Sequence, residues 1–463
     1  MKVCKFGGSS LANAAQIRKV CDIVLSDPDR KVVVVSAPGK RNGEDTKMTD
    51  MLISLAETSL KNEETGPCLD RITDRFLGLI RELDLDSSLA DFVRQYLAHR
   101  LAADRSVPDR FRDGLKASGE DLCARIVAEA LRRRGADAYY TEPGEAGLLL
   151  TDEYGNAQVL EESYANLARL RDKPGILVFP GFFGYTKSGG IVTFPRGGSD
   201  ITGSILAAGI SASVYENFTD VDAVFVANPQ MVPHPRPMTE VTYREMRELA
   251  YGGFSVLHEE TIAPVRQAGI PVHIRNTNNP EAPGTRIVRS RAYTPGEVVG
   301  IACGTGFMTL YISKYMMNRE IGFGRKLLQI IEEEGISFEH MPSGIDDISL
   351  ILKESALDPA REHRIIRRIR QELKADRVDA KRDLSLLLVV GEGMQHTVGI
   401  AARVTAALAG ARVNLDMINQ GSSEITLMFG IRSRDAVRAV RALYDEFFGR
   451  MNNTAYSTTV PVK

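Results

Sequence analysis

The run V-V-V-V-S-A at 32–37 constrains the fold more than any other stretch, because four β-branched residues in succession leave a strand with no polar face. Alternating apolar and polar residues mark a strand with one wet side, whereas an unbroken apolar run marks one covered on both sides, as in a parallel sheet between helical layers. The signature returns in G-I-L-V-F-P-G at 175–181, S-V-Y-E-N-F-T-D-V at 213–221 and P-V-H-I-R-N-T at 271–277, with helical stretches between. An α/β domain with a mostly parallel central sheet is therefore expected. Between about 50 and 134 the pattern changes: L-A-D-F-V-R-Q-Y-L-A-H-R-L at 89–101 spaces its apolar residues three and four apart, which predicts a helical lobe beside the sheet.

The turn-rich segment N-N-P-E-A-P-G-T-R-I at 278–287 breaks this pattern, and beyond it the chain repeats itself. A shift of 77 positions lays Leu310 on Leu387, Met317 on Met394, Gly322 on Gly399, Gly344 on Gly421, Ile348 on Ile425 and Leu350 on Leu427. Each copy reads strand, polar loop, helix, strand, glycine turn, strand, the pattern of a small α+β unit. The basic stretch R-E-H-R-I-I-R-R-I-R-Q-E-L-K at 361–374 reads as a solvated helix face rather than a nucleic-acid site, since Ile365, Ile369 and Leu373 form a core-facing stripe and Glu362 and Glu372 interrupt the charge.

Composition excludes several functions. The 463 residues carry a formal net charge of -2, with 43% hydrophobic and 25% charged residues, which gives no general attraction for nucleic acid or a membrane surface. The longest apolar runs, such as Leu384 to Val390, fall far short of the ~20 residues of a membrane span, and the N-terminus has no secretory pattern, so a cytoplasmic protein is expected. Cys4, Cys21, Cys68, Cys123 and Cys303 form no C-x-x-C pair and have no histidine at ligand spacing, so no metal site is expected. Cys4, inside an apolar strand, reads as core rather than as a thiol activated by Lys5.

Residues 3–10, V-C-K-F-G-G-S-S, end the first strand on a lysine and turn at once through two glycines into a helix-like run. A charge in that position needs a partner. Strand, glycine turn and helix N-terminus together make an anion site, with Ser9 or Ser10 placed to cap the helix. The stretch fits neither G-x-G-x-x-G nor G-x-x-x-x-G-K-[ST], so alone it is equally well a structural turn. The same grammar recurs in F-P-R-G-G-S-D-I-T-G-S-I-L-A-A at 194–208. Two such turns can grip one polyphosphate from two sides, with Lys5 on the transferring phosphoryl group and Asp200 holding the lysine.

K-F-G-G-S-S, R-G-G-S-D and the paired C-terminal units together resemble the aspartate kinases of the amino-acid kinase superfamily, over essentially the whole chain. The resemblance implies an amino-acid-kinase fold, an αβα sandwich with a mostly parallel central sheet, at 1–293, then two α+β ferredoxin-like ACT units at 294–380 and 381–463. It implies transfer of the ATP γ-phosphoryl group to the side-chain carboxylate of L-aspartate, with Mg2+ held mainly by the ATP phosphates. Lys5 and Asp200 match the catalytic pair; Gly7, Gly8, Ser9, Gly197, Gly198 and Ser199 match the phosphate-cradling turns. Ser36, Thr49, Glu120, Phe182 and Arg196 match aspartate-binding positions, Arg196 suiting a carboxylate fork and Glu120 the substrate ammonium.

Around the nucleotide the match weakens. Thr219, Asp220 and Phe225 agree with the family, but Ala223, Asn228 and Gln230 stand where Gly, Asp and Arg are usual, and Ser255 where many members have lysine. For the repeats the resemblance implies feedback by lysine, threonine or both, bound between regulatory units near Met317, Asn318, Gly322, Ser343, Gly344, Asp346, Asp347 and Gln420, and a homodimer or homotetramer formed through the ACT units. Two other readings are a sister kinase for another small acid and an amino-acid sensor with a decayed kinase domain.

Overall fold

The computed structural model describes residues 1–195, 197–254 and 259–449. The chain divides into two compact units, the first comprising Met1–Val224, Pro237–Tyr243 and Val256–Arg291, the second Phe225–Arg236, Arg244–Ser255 and Ala292–Lys463.

The first unit is built from strands β1 (Lys2–Phe6), β2 (Arg30–Val35), β3 (Ala138–Tyr140), β4 (Ile176–Pro180), β5 (Phe183–Tyr185), β6 (Ile191–Thr193), β7 (Val214–Thr219), β8 (Glu240–Thr242), β9 (Val272–Asn276) and β10 (Thr285–Val288). Eight of them form one sheet in the order β3-β4-β2-β1-β7-β9-β10-β8, and β5 pairs with β6 in a separate hairpin. Within the large sheet every neighbouring pair is parallel except β9 and β10. The continuous apolar runs are thus central strands, with Val32 to Val35 wholly buried.

Helices α1 (Ala14–Leu25), α2 (Met48–Leu60), α3 (Gly66–Glu82), α4 (Ser87–Leu101) and α5 (Pro108–Arg133) share one core with Cys4, Phe6, Val33, Val35, Val178 and Phe218. Four of these, α2 to α5, are the helical lobe. Helices α6 (Glu162–Leu167) and α7 (Gly198–Gly209) follow, and α7 packs on β1 and β7.

Strand β7 carries a buried charge of its own. Glu216 receives Arg30 through Nε at 2.6 Å and Nη2 at 3.0 Å, and Arg275 Nη1 at 3.1 Å. Burial alone would raise the Glu216 carboxyl, but the hydrogen bonds and charge of Arg30, with those of Arg275, take it below the usual range. Both guanidiniums also lie over the Phe218 ring.

In the second unit β11 (Gly300–Ser313), β12 (Asp347–Lys353), β13 (Arg377–Val390), β14 (Met417–Gln420) and β15 (Thr426–Arg432) form one antiparallel sheet in the order β12-β11-β13-β15-β14. Strands β11 and β13 are each 14 residues long, and β13 runs from the end of the first repeat into the second: Gly300 to Gly304 pair with Leu386 to Val390, and Thr309 to Ser313 with Arg377 to Lys381. In the first repeat the strand before the glycine turn is reduced to the bridges His340–Ile351 and Ser343–Ile348, whereas the second repeat keeps it as β14. Helix Pro359–Glu372 buries Ile365 and Ile369, with Leu373 just beyond it, as the apolar stripe requires. Among the described residues no helix is long and apolar enough to cross a membrane, and no three His, Cys, Asp or Glu side chains are grouped to hold a metal ion.

Removing the carboxylate from between two arginines leaves a buried charge without its partner, so Glu216→Gln is expected to cost about 3 kcal/mol or more. Arg275→Gln, at a side chain 20% exposed, should cost less than half of that. Urea unfolding midpoints check both, and an unchanged midpoint for Glu216→Gln would show that the cluster adds nothing to stability.

Candidate active site

Strands β1 and β7 are parallel neighbours in a register that sets Lys5 opposite Asn217 and Val3 opposite Tyr215. Side chains alternate across a strand, so Lys5, Asn217 and Tyr215 share the face that α7 covers. Asp200 lies in the first turn of that helix. Lys5 Nζ stands 2.6 Å from Asp200 Oδ1, the Asn217 side-chain amide donates to the same oxygen at 2.8 Å, and the Tyr215 hydroxyl donates to the Asp200 main-chain oxygen at 3.2 Å. Lys5 is 7% and Asn217 3% exposed, while the Asp200 side chain, 19% exposed, is the member of this network that reaches solvent.

Both glycine turns lie beside this pair. After β1, the Gly7 N–H donates to Phe218 O at 3.3 Å, and Gly8 opens a short 3-10 turn, Gly8–Leu11. That turn delays the helix. Neither Ser9 nor Ser10 caps α1: Asn13 does, accepting from the Gln16 N–H at 3.0 Å, while Ser10 is buried against Thr277 Oγ1 at 2.7 Å and Ser9 is exposed. The second turn likewise has no serine cap. Gly197 occupies the cap position with φ +80°, and Gly198 and Ser199 already belong to α7. A left-handed backbone explains the first glycine and contact the second, since a Cβ on Gly198 would stand 2.5 Å from Phe182 Cδ2. Phe182 is itself strained, with φ +74°, and its N–H donates to Thr202 Oγ1 at 3.0 Å. Arg196 lies outside the described residues.

The loop after β2 and the helical lobe bring Ser36, Thr49 and Glu120 to one neighbourhood. The Ser36 N–H donates to Phe6 O at 3.2 Å, and the Met48 N–H to Pro38 O at 3.3 Å, which seats the first turn of α2, including Thr49, on that loop. Helix α5 approaches it through Gly119, where a Cβ would stand 2.8 Å from Ala37 Cβ. The next residue, Glu120, is 4% exposed, and its Oε2 has no hydrogen-bond partner among the described residues. Burial pushes its carboxyl up to about 8, against a weaker lowering by the Ala37 main-chain contact.

Two residues here escaped the sequence reading. Gly39 N donates to Gly8 O at 2.8 Å, and a Cβ on Gly39 would come within 2.5 Å of the Gly8 backbone, so the loops after β1 and β2 touch main chain to main chain. The G in V-S-A-P-G was the available signal. Asp113, 1% exposed on α5, accepts the N–H groups of Gly155 and Thr193, each at 2.8 Å, and pairs with Lys116 at 2.6 Å. It thereby ties the helix that carries Glu120 to the strand leading into the second glycine turn; no local pattern marks it.

Thr219 ends β7, and its hydroxyl donates to Asp220 Oδ1 at 3.2 Å, with Asp220 exposed. Phe225 is half-buried and begins the first segment that packs with the second unit. Asn228 turns the chain by accepting the Gln230 N–H at 2.9 Å. Ser255 lies outside the described residues.

In the first repeat the loop and the glycine turn are tied together: Met316 N–H donates to Asp346 Oδ1 at 2.8 Å, Lys314 N–H to Asp346 O at 2.8 Å, and Asn318 N–H to Ile345 O at 3.2 Å. Met317 is buried, Gly322 has φ +79° at the start of helix Phe323–Glu333, Ser343 bridges Ile348, and Gly344 N–H donates to Asp347 O at 2.9 Å. The second repeat closes the same way with other residues. Gln395 Nε2 donates to Ser423 O at 2.6 Å and His396 N–H to Glu424 Oε2 at 2.8 Å, with Gln420 ending β14 nearby in sequence.

Residues 1–276 match the amino acid kinase family, and residues 387–447 match the ACT domain. Aspartokinase 3 of Bacillus subtilis is 54% identical over 448 residues, covering 97% of this chain and 99% of its own. The crystal structure of Clostridium acetobutylicum aspartate kinase superposes with a TM-score of 0.86 at 36% identity, covering 96% of this chain and all of that one (100%). Escherichia coli aspartokinase III in complex with aspartate and ADP (R-state) gives 0.75 at 25% identity, covering 97% and 100%; with lysine and aspartate (T-state) it gives 0.74 at 26%, covering 97% and 99%. With the fold, the paired glycine turns and both matched regions in agreement, the chain belongs to the amino acid kinase family and, within it, to the aspartokinases.

Proposed function

We propose that the chain transfers the γ-phosphoryl group of ATP to the β-carboxylate of L-aspartate, giving 4-phospho-L-aspartate, the first step toward lysine, threonine and methionine. The observation that carries this reading is the buried Lys5 ammonium, held by Asp200 2.6 Å away where one glycine turn leaves β1 and the other opens α7. Phosphoryl transfer asks for charge neutralisation in a fixed place, which a paired, water-excluded lysine supplies. The attacking carboxylate, with a pKa of ~4, is already ionised at neutral pH, so no general base is needed. Lys5 neutralises the phosphoryl group in flight, and Asp200 orients it. The glycine turns at Gly7–Gly8 and Gly197–Gly198 cradle the phosphates, with main-chain N–H groups other than that of Gly7, which Phe218 O already takes. Arg196 forks the α-carboxylate of aspartate, Glu120 takes its ammonium, Ser36 and Thr49 add hydroxyls, and Phe182 forms a wall. Magnesium arrives on the ATP phosphates, its remaining sites filled by water.

The test is aspartate-dependent ADP release with ATP and magnesium, with the acyl phosphate trapped as its hydroxamate. No aspartate-dependent turnover would favour the sensor reading that Gln230 and Ser255 prompt.

Lys5→Ala should lower kcat about 100- to 1000-fold while leaving the fold intact by circular dichroism, because the lysine acts on charge that develops during transfer. A rate within about threefold of wild type would remove Lys5 from the chemistry.

Glu120 gives a prediction in pH. With burial pushing it up to about 8, its carboxyl is mostly neutral at pH 7 and must ionise to hold an ammonium group. The KM for aspartate should therefore fall as pH rises from about 7 to 9, by up to roughly tenfold, since one pH unit below the pKa leaves about a tenth of the group ionised. Glu120→Gln should raise the KM and flatten this dependence. A wild-type KM that does not fall over this range would exclude Glu120 from the ammonium site.

For regulation, we propose that lysine, threonine or both bind between ACT units near the Ser343–Asp347 turn, with Asp346 or Asp347 taking the effector ammonium and helix N-terminal N–H groups its carboxylate. The ACT units also pair into a homodimer or homotetramer. Equivalent positions in the two repeats, Ile321 (96% exposed) and Val398 (99%), offer aliphatic surface for such contacts. A coupling of ~1 to 3 kcal/mol would shift apparent affinity about 5- to 150-fold. Titrating lysine and threonine, singly and together, into the assay and into a calorimeter should reveal binding with inhibition, and Asp346→Ala should lose both while keeping basal turnover. Neither binding nor inhibition at millimolar effector would defeat this part.

A further inference from the structure

We infer that Asn217 is a positioning residue for phosphoryl transfer: its side-chain amide fixes the carboxylate of Asp200 and so aims the Lys5 ammonium. The inference rests on the aspartate kinase reading. Asp200 Oδ1 accepts from both Lys5 Nζ at 2.6 Å and Asn217 Nδ2 at 2.8 Å, so donors from two adjacent strands converge on one oxygen. Two residues earlier on the same face of β7, the Tyr215 hydroxyl holds the Asp200 main-chain oxygen at 3.2 Å. One strand thus pins both the backbone and the side chain of Asp200. An ammonium has three protons and a freely turning terminal bond. With one proton directed to a fixed oxygen, the directions of the other two are fixed as well.

The residue type matters as much as the contact. A neutral amide at a position 3% exposed makes sense only when hydrogen-bonded. Being uncharged, it leaves one ammonium balanced against one carboxylate. A second carboxylate there would over-neutralise Lys5, and an apolar side chain would free Asp200 to turn away. The groups facing Asn217 are Lys5 from β1 and Asp200 from α7, with Tyr215 on its own strand; its register partner on β9 is the uncharged Ile274.

The experiment compares wild type, Lys5→Ala, Asn217→Leu and Asn217→Asp by steady-state kinetics from pH 5 to 9, with melting curves alongside. Asn217→Leu should lose about 10- to 100-fold in kcat, the scale of a misplaced catalytic group, with both KM values within about threefold. Asn217→Asp should show the same loss above about pH 7 and approach wild type as pH falls, because a protonated carboxyl has the shape of the amide and is again a neutral donor. A merely structural role would lower the melting temperature without that recovery. A kcat for Asn217→Leu within twofold of wild type, a loss confined to KM, or an Asn217→Asp to wild-type ratio independent of pH would each overturn the inference. If Asn217→Leu does not fold, the isosteric Asn217→Asp decides alone. A wild type without aspartate-dependent turnover would overturn the underlying reading and this inference with it, whereas an active wild type with an equally active Asn217→Leu overturns only this inference.

Discussion

An ammonium group at the end of a buried parallel strand has to be paired, and the pairing of Lys5 with Asp200 dictates much of what surrounds it. Leaving such a charge without its partner costs several kcal/mol. The first turn of α7 must therefore come within reach of β1, which asks for a left-handed residue at Gly197 and no side chain at Gly198, where Phe182 closes in. Further along α7, Gly203 is bare for the same reason: a Cβ there would stand 2.6 Å from the Tyr215 ring. The helix sits close enough for its aspartate to reach the lysine only because three glycines let it.

The other electrostatic element of the site is the opposite case. Glu120 is as deeply buried as Lys5, yet one of its oxygens has no partner among the described residues, and burial pushes the carboxyl up to about 8. Buried polar groups without partners are rare in folded proteins and concentrate where a ligand completes them. The protein thus holds one buried charge already paired and one buried carboxyl with an oxygen left over among the described residues. Gly39 and Gly119 keep the two elements in register by packing backbone to backbone and helix to loop.

The extent to which this was legible in the sequence followed the range of the interactions. Four β-branched residues at 32–35 announce a central strand by themselves, and the shift of 77 residues announces two related units. Lys5 and Asp200 were legible because each stands beside a Gly-Gly turn with a recognisable grammar. Asn217 was not, since its meaning depends on the register between β1 and β7, which brings it opposite a residue 212 positions away in sequence. Asp113 was hidden for the same reason, its partner Thr193 lying 80 residues on. The cap assignments failed on a local detail: a 3-10 turn delays α1 until Asn13, and α7 begins on a glycine.

In the second unit the repeats invite a picture of two beads, and the sheet argues against it. Because β13 carries the end of the first repeat into the second and β11 pairs with both of its stretches, one sheet holds the two repeats together. The end of the helix Tyr243–Tyr251 and the glycine after it make two contacts with this repeat pair. The Tyr251 hydroxyl donates to Glu339 Oε2 at 2.6 Å, just ahead of the Ser343–Asp347 turn, and Gly252 lies so close to Ala302 of β11 that a Cβ on it would stand 2.4 Å from the alanine methyl. The chain then runs directly into G-G-F-S-V-L-H-E, where a lysine is common in the family and Ser255 stands here. Glu339 is thus joined to the end of the helix by one hydrogen bond, and β11 to the residue after it by one glycine contact. Contiguity of this kind transmits regulation only if its members have two arrangements.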